Sequence, residues 1–450
     1  MLLIYFLSSI AWGNTQDQQL AEKFSPILIL VEDPTDSNKK VIFPELVEIM
    51  KAKSASNLKF RIYNALEQTL IDEFYSNLTS SWQAHLNSIY QNSIHNSINL
   101  AQNKFAFLPA ALKYTGKPPG FANGIYFVLA YFDYPGNREK GNNSWYDYYF
   151  GRTNPPHSQA GANFKNTAYV HIFQIENAQE PSIRTYNGKY VIRYYYYYPF
   201  NDWKNNHEGD WQSIDVIVTS RDTATAELFG VGYWFHSEGI TYSQKGGRKF
   251  VPRTHFAPAE GGTHPVVYVG AGSHGGFPTG GNYPRKIPYV LTERMTTYGL
   301  VLSTSVANTK PKVAKSYDLI LLPEPDTTQA NMGLAPEMSW LGTGALWGTP
   351  NVESPLDIIP YFDNYSLSPQ GPFHKDNWGK WKNGNYKHTD IPYTEFQQFP
   401  IVQNVTWRDT IDLIGDIVVY PGATLTIDAG TTIKASPKRD IHGLKDASRV

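Results

Sequence analysis

The sequence contains no cysteine among its 450 residues. This absence excludes disulfides, thiolate nucleophiles and cysteine metal sites, and it leaves oxygen and imidazole groups as the strong metal ligands. An excess of charge is also missing, because 39 Lys and Arg stand against 40 Asp and Glu. No global field therefore attracts nucleic acid or an anionic membrane, and any partner must be recognised by a local site.

Long apolar runs are scarce. After the N-terminal residues, no run approaches the roughly 20 apolar residues that span a bilayer, so no transmembrane segment is expected. The first residues, MLLIYFLSSIAWGN, are apolar and end in the small-x-small spacing Ala11-Trp12-Gly13 that signal peptidase accepts. We interpret 1–13 as a signal peptide and expect a secreted or cell-surface protein, more typical of a bacterium because it lacks cysteine. No Lys or Arg precedes the run, so a clipped N-terminus or a buried strand is the alternative.

The length leaves room for two or three domains. Three regions differ in their sequence pattern, and the first, from about 45 to 112, has the pattern of helices. Apolar residues recur there at every fourth position, in two sets. They are Ile62, Leu66, Leu70 and Phe74, then Trp82, Leu86, Tyr90, Ile94 and Ile98. This spacing predicts two amphipathic helices that pack their apolar stripes on a sheet.

The second region, from about 124 to 381, consists of short aromatic and β-branched runs that are interrupted by Gly, Pro and Asn. Such a pattern is typical of an antiparallel β-sandwich, here expected to be jelly-roll-like. The sequence therefore predicts a mainly β protein with a sandwich domain at 20–395 that carries the helical segment as an insertion. Large aromatic residues should lie in its core, namely Trp211 and Trp347 with the strand face of Phe229, Val231, Tyr233 and Phe235.

Two strands of this domain bring polar groups to one edge. The run GKYVIRYYYYYPF should end near Tyr198, because Pro199 cannot join a central ladder. DWQSIDVIV then resumes a strand, and alternation places one set of residues on a shared face. They are Asp210, Gln212, Ile214, Val216 and Val218. The apolar end of this face is core, so Asp210 and Gln212 point inward at the mouth of the sandwich, where a carboxylate needs a partner or a cation.

Three histidines flank the same region. His207 adjoins Asp210, His236 closes a strand in GYWFHSEG, and His274 follows a buried strand predicted at 266–271. If these strand ends converge, one mouth gathers the histidines with Asp210 and Gln212. The stretch GAGSHG also fits the dinucleotide fingerprint and nearly fits a nucleophile elbow, but both need a following helix. FPTGGNYPRKIP cannot start one, so a tight turn is the better interpretation.

Several blocks resemble a known family. YYYYYPFNDWKNNHEGDWQSIDV, HPVVYVGAGSHGGF, LAEKFSPILIL with FPELV, and LGTGALWGTP with GPFHKDNW resemble blocks of the vacuolar protein sorting-associated protein sixty-two family. The resemblance covers about 20–381 and implies no reaction.

A more distant similarity links HEGDWQ to the Gly-His-Arg-His-Asp-Trp-Glu motif of the necrosis- and ethylene-inducing-like toxins. Proteins of that family are β-sandwiches whose acidic groups hold a divalent cation that engages sphingolipid sugar headgroups. The resemblance implies a comparable sandwich and cation site here. His207, Asp210 and Trp211 match the motif, whereas Gly209 and Gln212 replace its second His and its Glu. Gln212 keeps an oxygen ligand with less charge, so a cytolytic role is not expected. The alternative is a structural His207–Asp210 pair that joins a loop to a strand.

The function expected from these residues is binding of a carbohydrate or lipid headgroup with help from a divalent cation. The expected cation ligands are His207, Asp210, Gln212 and His274. The ion would be calcium or magnesium if oxygen dominates, and zinc or manganese if imidazoles take part. Further binding residues are expected at Glu208, Trp211, His236, Ser273, Tyr198 and Trp203. Aromatic rings beside a polar mouth can stack on sugars, but packing of the tyrosine run in the core is the default interpretation.

A metal- or carboxylate-dependent hydrolase acting on polysaccharide is the other function class. Glu208 or Asp210 would then act as acid or base, with His274 assisting. Binding is preferred, because two carboxylates at a loop-strand junction cannot be assumed to flank a scissile bond.

The third region is the tail, 402–450, and its sequence pattern differs from the first two. Short β-branched runs at 417–419, 425–427 and 432–434 are separated by Pro421-Gly422 and Ala429-Gly430. This spacing of short strands and Gly-containing turns resembles the opening coil of a right-handed parallel β-helix. Because about three repeats are usually needed to bury a coil, we expect a fragment of a longer exported protein. The alternative is an edge strand pair folded back on the sandwich.

Overall fold

A computed structural model describes a discontinuous set of residues, and every structural statement below concerns these alone. They are residues 15–31, 58–64, 69–71, 111–116, 124–132, 167–176, 186–201, 207–233, 248–252, 263–270, 273–277, 281–286, 290–295, 299–302, 317–326, 332–342, 344–348, 369–375, 378, 386–387, 398–401, 404–413, 416–419 and 423–435. The predicted signal peptide lies outside them. Among the described helices, none combines the length and apolarity needed to cross a bilayer.

The described structure is mainly β, which confirms the fold class. Its helices are α1 (Thr15–Lys23), α2 (Pro372–Lys375) and the 3₁₀ helix Pro336–Gly342. Its strands are β1 (Ile27–Val31), β2 (Leu58–Asn64), β3 (Thr69–Ile71), β4 (Ala111–Gly116), β5 (Gly124–Phe132), β6 (Thr167–Gln174), β7 (Tyr190–Asn201), β8 (His207–Val218), β9 (Leu228–Tyr233), β10 (Arg248–Pro252), β11 (Val266–Val269), β12 (Gly276–Phe277), β13 (Gly281–Lys286), β14 (Val290–Met295), β15 (Gly299–Leu302), β16 (Asp318–Leu321), β17 (Tyr386–Lys387), β18 (Gln398–Ile401), β19 (Val405–Trp407), β20 (Thr410–Leu413), β21 (Asp416–Val419), β22 (Leu425–Ile427) and β23 (Thr432–Ala435).

The largest sheet has the order β16-β6-β7-β8-β9-β10-β17. Its centre, from β6 to β10, is antiparallel, and its two outer pairs are parallel. A second sheet has the order β12-β11-β1-β15, in which β1 runs parallel to β11. The prediction of an antiparallel sandwich is therefore corrected to a mixed one, because β1 comes from the N-terminal segment and inserts between strands formed much later in the chain.

The two sheets pack against each other through one face of β8. Ile214 on that face is 2% exposed and Val216 is fully buried. A Cβ added to Gly276 of β12 would lie 2.4 Å from Ile214 Cδ1, so the sheets are in direct contact there. The face predicted from alternation is thus the buried face of the sandwich.

The opposite face of β8 packs into a cluster of aromatic rings. Trp211 lies 5.7 Å from Trp340 and 5.3 Å from Trp347 between ring centroids, and Tyr197 lies 4.9 Å from Trp211. Trp211 is 1% exposed and Trp347 is fully buried, which confirms that both belong to the core. Val231 is also buried and Phe229 is half-buried. The side chain of Tyr233 and residue Phe235 lie outside the described set.

The tyrosine run is covered on both sides. Its residues alternate between the second sheet and the tryptophan cluster, and each is at most 2% exposed. They are Tyr194, Tyr195, Tyr196, Tyr197 and Tyr198. The structure therefore places them in the core, which is the default interpretation from the sequence.

The first predicted helix of the insertion is wrong where the structure describes it. Leu58–Asn64 and Thr69–Ile71 form a hairpin, and β2 also pairs with β5. The sequence of β2, LKFRIYN, alternates apolar and polar residues with period two as well as fitting a period of four. Pairing with a nine-residue strand decides between the two patterns. Phe74 and the second predicted helix lie outside the described residues.

The tail forms two stacked coils. The first coil is β18, β19 and β20, and the second coil is β21, β22 and β23. Each strand of the first coil pairs in parallel with its counterpart in the second. These parallel pairs form a segment of the kind that the sequence predicts, with two differences. The segment begins at Gln398 rather than at 402, and it already contains a second coil.

Candidate functional site

The predicted polar mouth is centred on Asp210 in β8. Asp210 is 3% exposed, and its carboxylate contacts two neighbouring side chains. Gln212 Nε2 donates a hydrogen bond of 2.6 Å to Asp210 Oδ1, and His274 Nδ1 lies 3.0 Å from Asp210 Oδ2. Three of the four predicted cation ligands are therefore in contact.

His274 is placed by a tight turn that follows β11. The turn is closed by a bond of 2.8 Å from Gly270 N–H to the Gly275 carbonyl, and His274 has a positive φ of 55°. This is the turn that the sequence predicted instead of a nucleotide-binding loop. A left-handed conformation is uncommon outside glycine and is often found where function fixes a side chain.

The hydrogen bond at Nδ1 determines which atom His274 can offer. Because a carboxylate accepts, Nδ1 donates this bond, and Nε2 is the nitrogen that remains for a ligand. The structure gives Nε2 no bond to any described residue. The imidazole is also stacked on Tyr198, with ring centroids 4.1 Å apart and planes 6° apart. Asp210 and Tyr198 thus fix the orientation of a ring whose outer nitrogen is available.

Ser273, predicted as a binding residue, lies beside this pair. Its carbonyl accepts a bond of 3.4 Å from Gln212 Nε2. Its hydroxyl oxygen is buried and has no hydrogen-bond partner among the described residues. A buried hydroxyl without a partner is unfavourable, so this atom is a position at which a ligand or water would stabilise the site.

Tyr198 and Trp211 are not placed as surface platforms. Tyr198 is 1% exposed, and burial together with the charge of Asp210 raises its pKa well above the usual value. Its phenol therefore stays protonated. Trp211 points to the opposite face of β8 because successive side chains alternate, and it packs among the tryptophans. Both side chains are buried, so neither is an exposed stacking surface at the mouth.

The structure describes the side chain of none of the four remaining predicted site residues. The backbone of His207 and Glu208 starts β8, paired with Asn201 and Phe200, but the positions of their side chains are not described. Trp203 and His236 lie outside the described residues altogether.

Gly209 has a structural reason to depart from the toxin motif. It has φ of 67°, and a Cβ there would lie 1.7 Å from the carbonyl oxygen of Trp347. The segment carrying Trp347 crosses directly over the backbone next to Asp210. A histidine at this position is therefore incompatible with the packing.

Sequence reasoning missed a second polar cluster on the opposite face of the large sheet. His171, Arg193 and Asp215 are register partners across β6, β7 and β8. Arg193 donates two bonds to Asp215, of 2.8 and 3.1 Å, and both side chains are fully buried. The sequence feature that could have indicated this pair is the opposite charge of Arg193 and Asp215, which lie within two consecutive predicted strands.

His171 is held between aromatic rings in this cluster. It stacks on Trp378 with centroids 3.9 Å apart, and its Nε2 is hydrogen-bonded to Glu324. Trp378 Nε1 donates to the other oxygen of Glu324 at 2.7 Å. Burial lowers the pKa of His171, so its ring is neutral. Burial also tends to raise the pKa of Glu324, but the bonds from His171 and Trp378 outweigh it and the pKa is lowered.

Comparison with known proteins gives weak matches. No family model matches the chain, so the resemblance to the vacuolar protein sorting-associated family has no support there, and no curated protein matches it either. Solved structures that resemble it are the non-toxic HaNLP3 protein, at 14% identity, TM-score 0.20, 35% of this chain and 51% of that chain. A triple mutant of NLPPya matches at 15% identity and TM-score 0.21. NLPPya in complex with glucosamine matches at 16% identity and TM-score 0.21.

Both NLPPya matches cover 44% of this chain and 66% of the other. The chain spans about half the length of the first of these structures, which belong to the necrosis- and ethylene-inducing-like proteins. A likeness of this size carries no inference about activity.

Proposed function

We propose that this protein is an exported or surface protein that binds a divalent cation at the Asp210–His274 pair and, through it, the polar headgroup of a carbohydrate or lipid. The observation that supports the proposal is the 3.0 Å contact between His274 Nδ1 and Asp210 Oδ2, which leaves Nε2 available. A histidine that binds a metal through one nitrogen commonly donates its other N–H to a carboxylate.

The donor set favours an imidazole-type site over a calcium cage. Calcium takes about 6 to 8 oxygen ligands, whereas the described residues contain no group of three or more His, Asp or Glu side chains that could hold a metal. Asp210 already accepts bonds on both oxygens, so it acts mainly by orienting His274. Nitrogen donors suit zinc better than calcium or magnesium, and His207, three residues before Asp210 in the sequence, is the candidate for a second imidazole.

The cation proposal predicts specific losses of affinity. We expect the purified protein to take up Zn²⁺, His274→Ala to abolish uptake, and Asp210→Asn to weaken it by about 10- to 100-fold, as for other partners of metal-binding histidines. Isothermal titration calorimetry measures these affinities, and Asp428→Asn in the tail is the matched control. Absence of ion uptake by the parent protein at millimolar concentration would refute the proposal.

The ligand is tested separately from the cation. Binding of the metal-loaded protein to glycan and lipid-headgroup arrays should be lost on chelation and in His274→Ala. Binding that survives both changes would place recognition elsewhere.

A hydrolase is the second candidate, because a carboxylate-oriented histidine can also act as a general base. Turnover of a labelled polysaccharide that is abolished by His274→Gln and by Glu208→Gln would favour it. Binding without turnover would favour the first proposal.

A further inference from the structure

One tryptophan of the second polar cluster has its inner side covered and its outer side at the surface. The indole of Trp378 stacks on His171, with ring centroids 3.9 Å apart, and lies parallel to Tyr195 at 6.1 Å. Both partners project from the same face of the large sheet, so they cover the side of the indole that faces the sheet. Its other ring contact in the described part of the chain is an inclined one with Phe373. Because Trp378 is only half-buried, its outer side is the one that reaches solvent.

A carboxylate lies at the edge of this indole. Glu324 accepts hydrogen bonds from Trp378 Nε1, at 2.7 Å, and from His171 Nε2, one on each oxygen. Its side chain is nevertheless 66% exposed. Burial would raise the pKa of Glu324, but these bonds lower it overall, so the group is ionised at neutral pH. Each carboxylate oxygen has two acceptor sites, so Glu324 can accept further bonds from a ligand that lies on the indole.

The backbone that carries Glu324 is restrained. Pro323 and Pro325 flank it, and each proline fixes its own φ at about −65°. Leu322 N–H donates a bond of 2.7 Å to the carbonyl of Val170 in β6, which ties the segment to the sheet. The carboxylate and the indole are thus held in place before any ligand binds, which lowers the entropy lost on binding. We call the outer side of the Trp378 indole together with the Glu324 carboxylate the indole platform.

The shape and charge of the indole platform discriminate between ligands. A quaternary ammonium group is typically enclosed by a cage of several aromatic rings, whereas Trp378 offers one open face. Anions are disfavoured, because the segment 317–326 contains Asp318, Glu324 and Asp326 and no basic residue. A sugar ring presents a C–H face that stacks on an aromatic ring, and its hydroxyls donate to a carboxylate. A neutral sugar is therefore the ligand that matches both parts of the platform.

We propose that the indole platform is a second binding site, which takes a neutral hexose unit of a polysaccharide by stacking on Trp378 and by hydrogen bonds to Glu324. His171 acts as a positioning residue, because it supports the indole from the sheet side and holds one oxygen of Glu324. The platform lies on the face of the large sheet opposite to Asp210, and binding there needs no cation. The proposal is thus independent of the cation site.

Isothermal titration calorimetry with soluble neutral oligosaccharides of glucose, mannose and galactose, in the presence of EDTA, tests this site. We expect binding of at least one of them, which Trp378→Ala weakens by at least about tenfold because the stacking surface is lost. Glu324→Gln should weaken it by about fivefold, because a neutral acceptor replaces a charged one. The matched controls are Trp407→Ala, at a half-buried tryptophan of the tail, and Glu227→Gln, at an exposed residue directly before β9. These controls and His274→Ala should leave the affinity unchanged.

Urea denaturation verifies that the variants are folded, and Trp378→Phe, which keeps a smaller ring on His171, should still bind more weakly than the parent protein. A parent protein that binds none of these oligosaccharides would overturn the proposal, even if the cation site takes up Zn²⁺. Binding that survives Trp378→Ala, or that is lost on chelation or in His274→Ala, would place the sugar elsewhere and overturn it as well. Tighter binding of choline than of any sugar would show that the ligand class is wrong.

Discussion

Replacing Gly209 with alanine is expected to lower the free energy of unfolding by about 3 to 5 kcal/mol, the sum of a left-handed backbone penalty and the cost of overpacking. The residue has φ of 67°, and the new Cβ would lie 1.7 Å from the carbonyl oxygen and 2.8 Å from the carbonyl carbon of Trp347. These are backbone atoms, so no side-chain rotation relieves the contact. Either β8 or the segment that carries Trp347 must move.

Gly188→Ala is the matched control for this substitution. Gly188 has φ of 80°, but a Cβ there meets nothing within 4 Å. It should lose only the backbone part, about 1 to 2 kcal/mol. Urea denaturation of both variants measures the difference. Equal losses would mean that the crossing of Trp347 over Gly209 contributes nothing.

The same substitution reports on the candidate site. Gly209 precedes Asp210, and a shift of β8 there would separate Asp210 from His274. We therefore expect Gly209→Ala to lose ion uptake along with stability, whereas Gly188→Ala should retain uptake. The glycine, which the sequence presented only as a departure from a motif, thus connects the packing of the tryptophan cluster to the polar mouth.

Alternation along single strands made much of this structure predictable. It placed Asp210 and Gln212 on the buried face and Trp211 on the other. In the tail, β-branched runs separated by Gly gave the short strands close to their observed bounds. The contact between Asp210 and His274 was a hypothesis about convergence of strand ends. Its geometry depends on a turn with a positive φ that no periodicity encodes.

The failures share a physical cause, which is pairing between distant segments. The apolar residues around Ile62 fit a helix and a strand alike, and only the partner strand β5 decides between them. The insertion of β1 beside β11 likewise follows from contacts across more than 200 residues. Local sequence cannot express such contacts, because the stabilising surface belongs to another part of the chain.

The buried pair of Arg193 and Asp215 gives a second large expected effect. Arg193→Met should lower the free energy of unfolding by about 3 to 5 kcal/mol, because it removes the guanidinium charge that balances the buried carboxylate of Asp215. Both side chains are fully buried, and the guanidinium also lies 4.9 Å from the centroid of Phe173. Urea denaturation measures the loss.

Two comparisons separate the charge effect from simple loss of packing. Arg221→Met removes an ion pair with Asp17 in which the arginine is 50% exposed, and it should cost at most about 1 kcal/mol. Adding Asp215→Leu to Arg193→Met should recover most of the stability, since replacing a buried pair by apolar residues is often neutral or stabilising. If Arg193→Met is no worse than Arg221→Met, the buried pair is not the constraint that we infer. If the double variant stays as unstable as Arg193→Met, lost packing against Phe173 rather than an unpaired charge explains the effect.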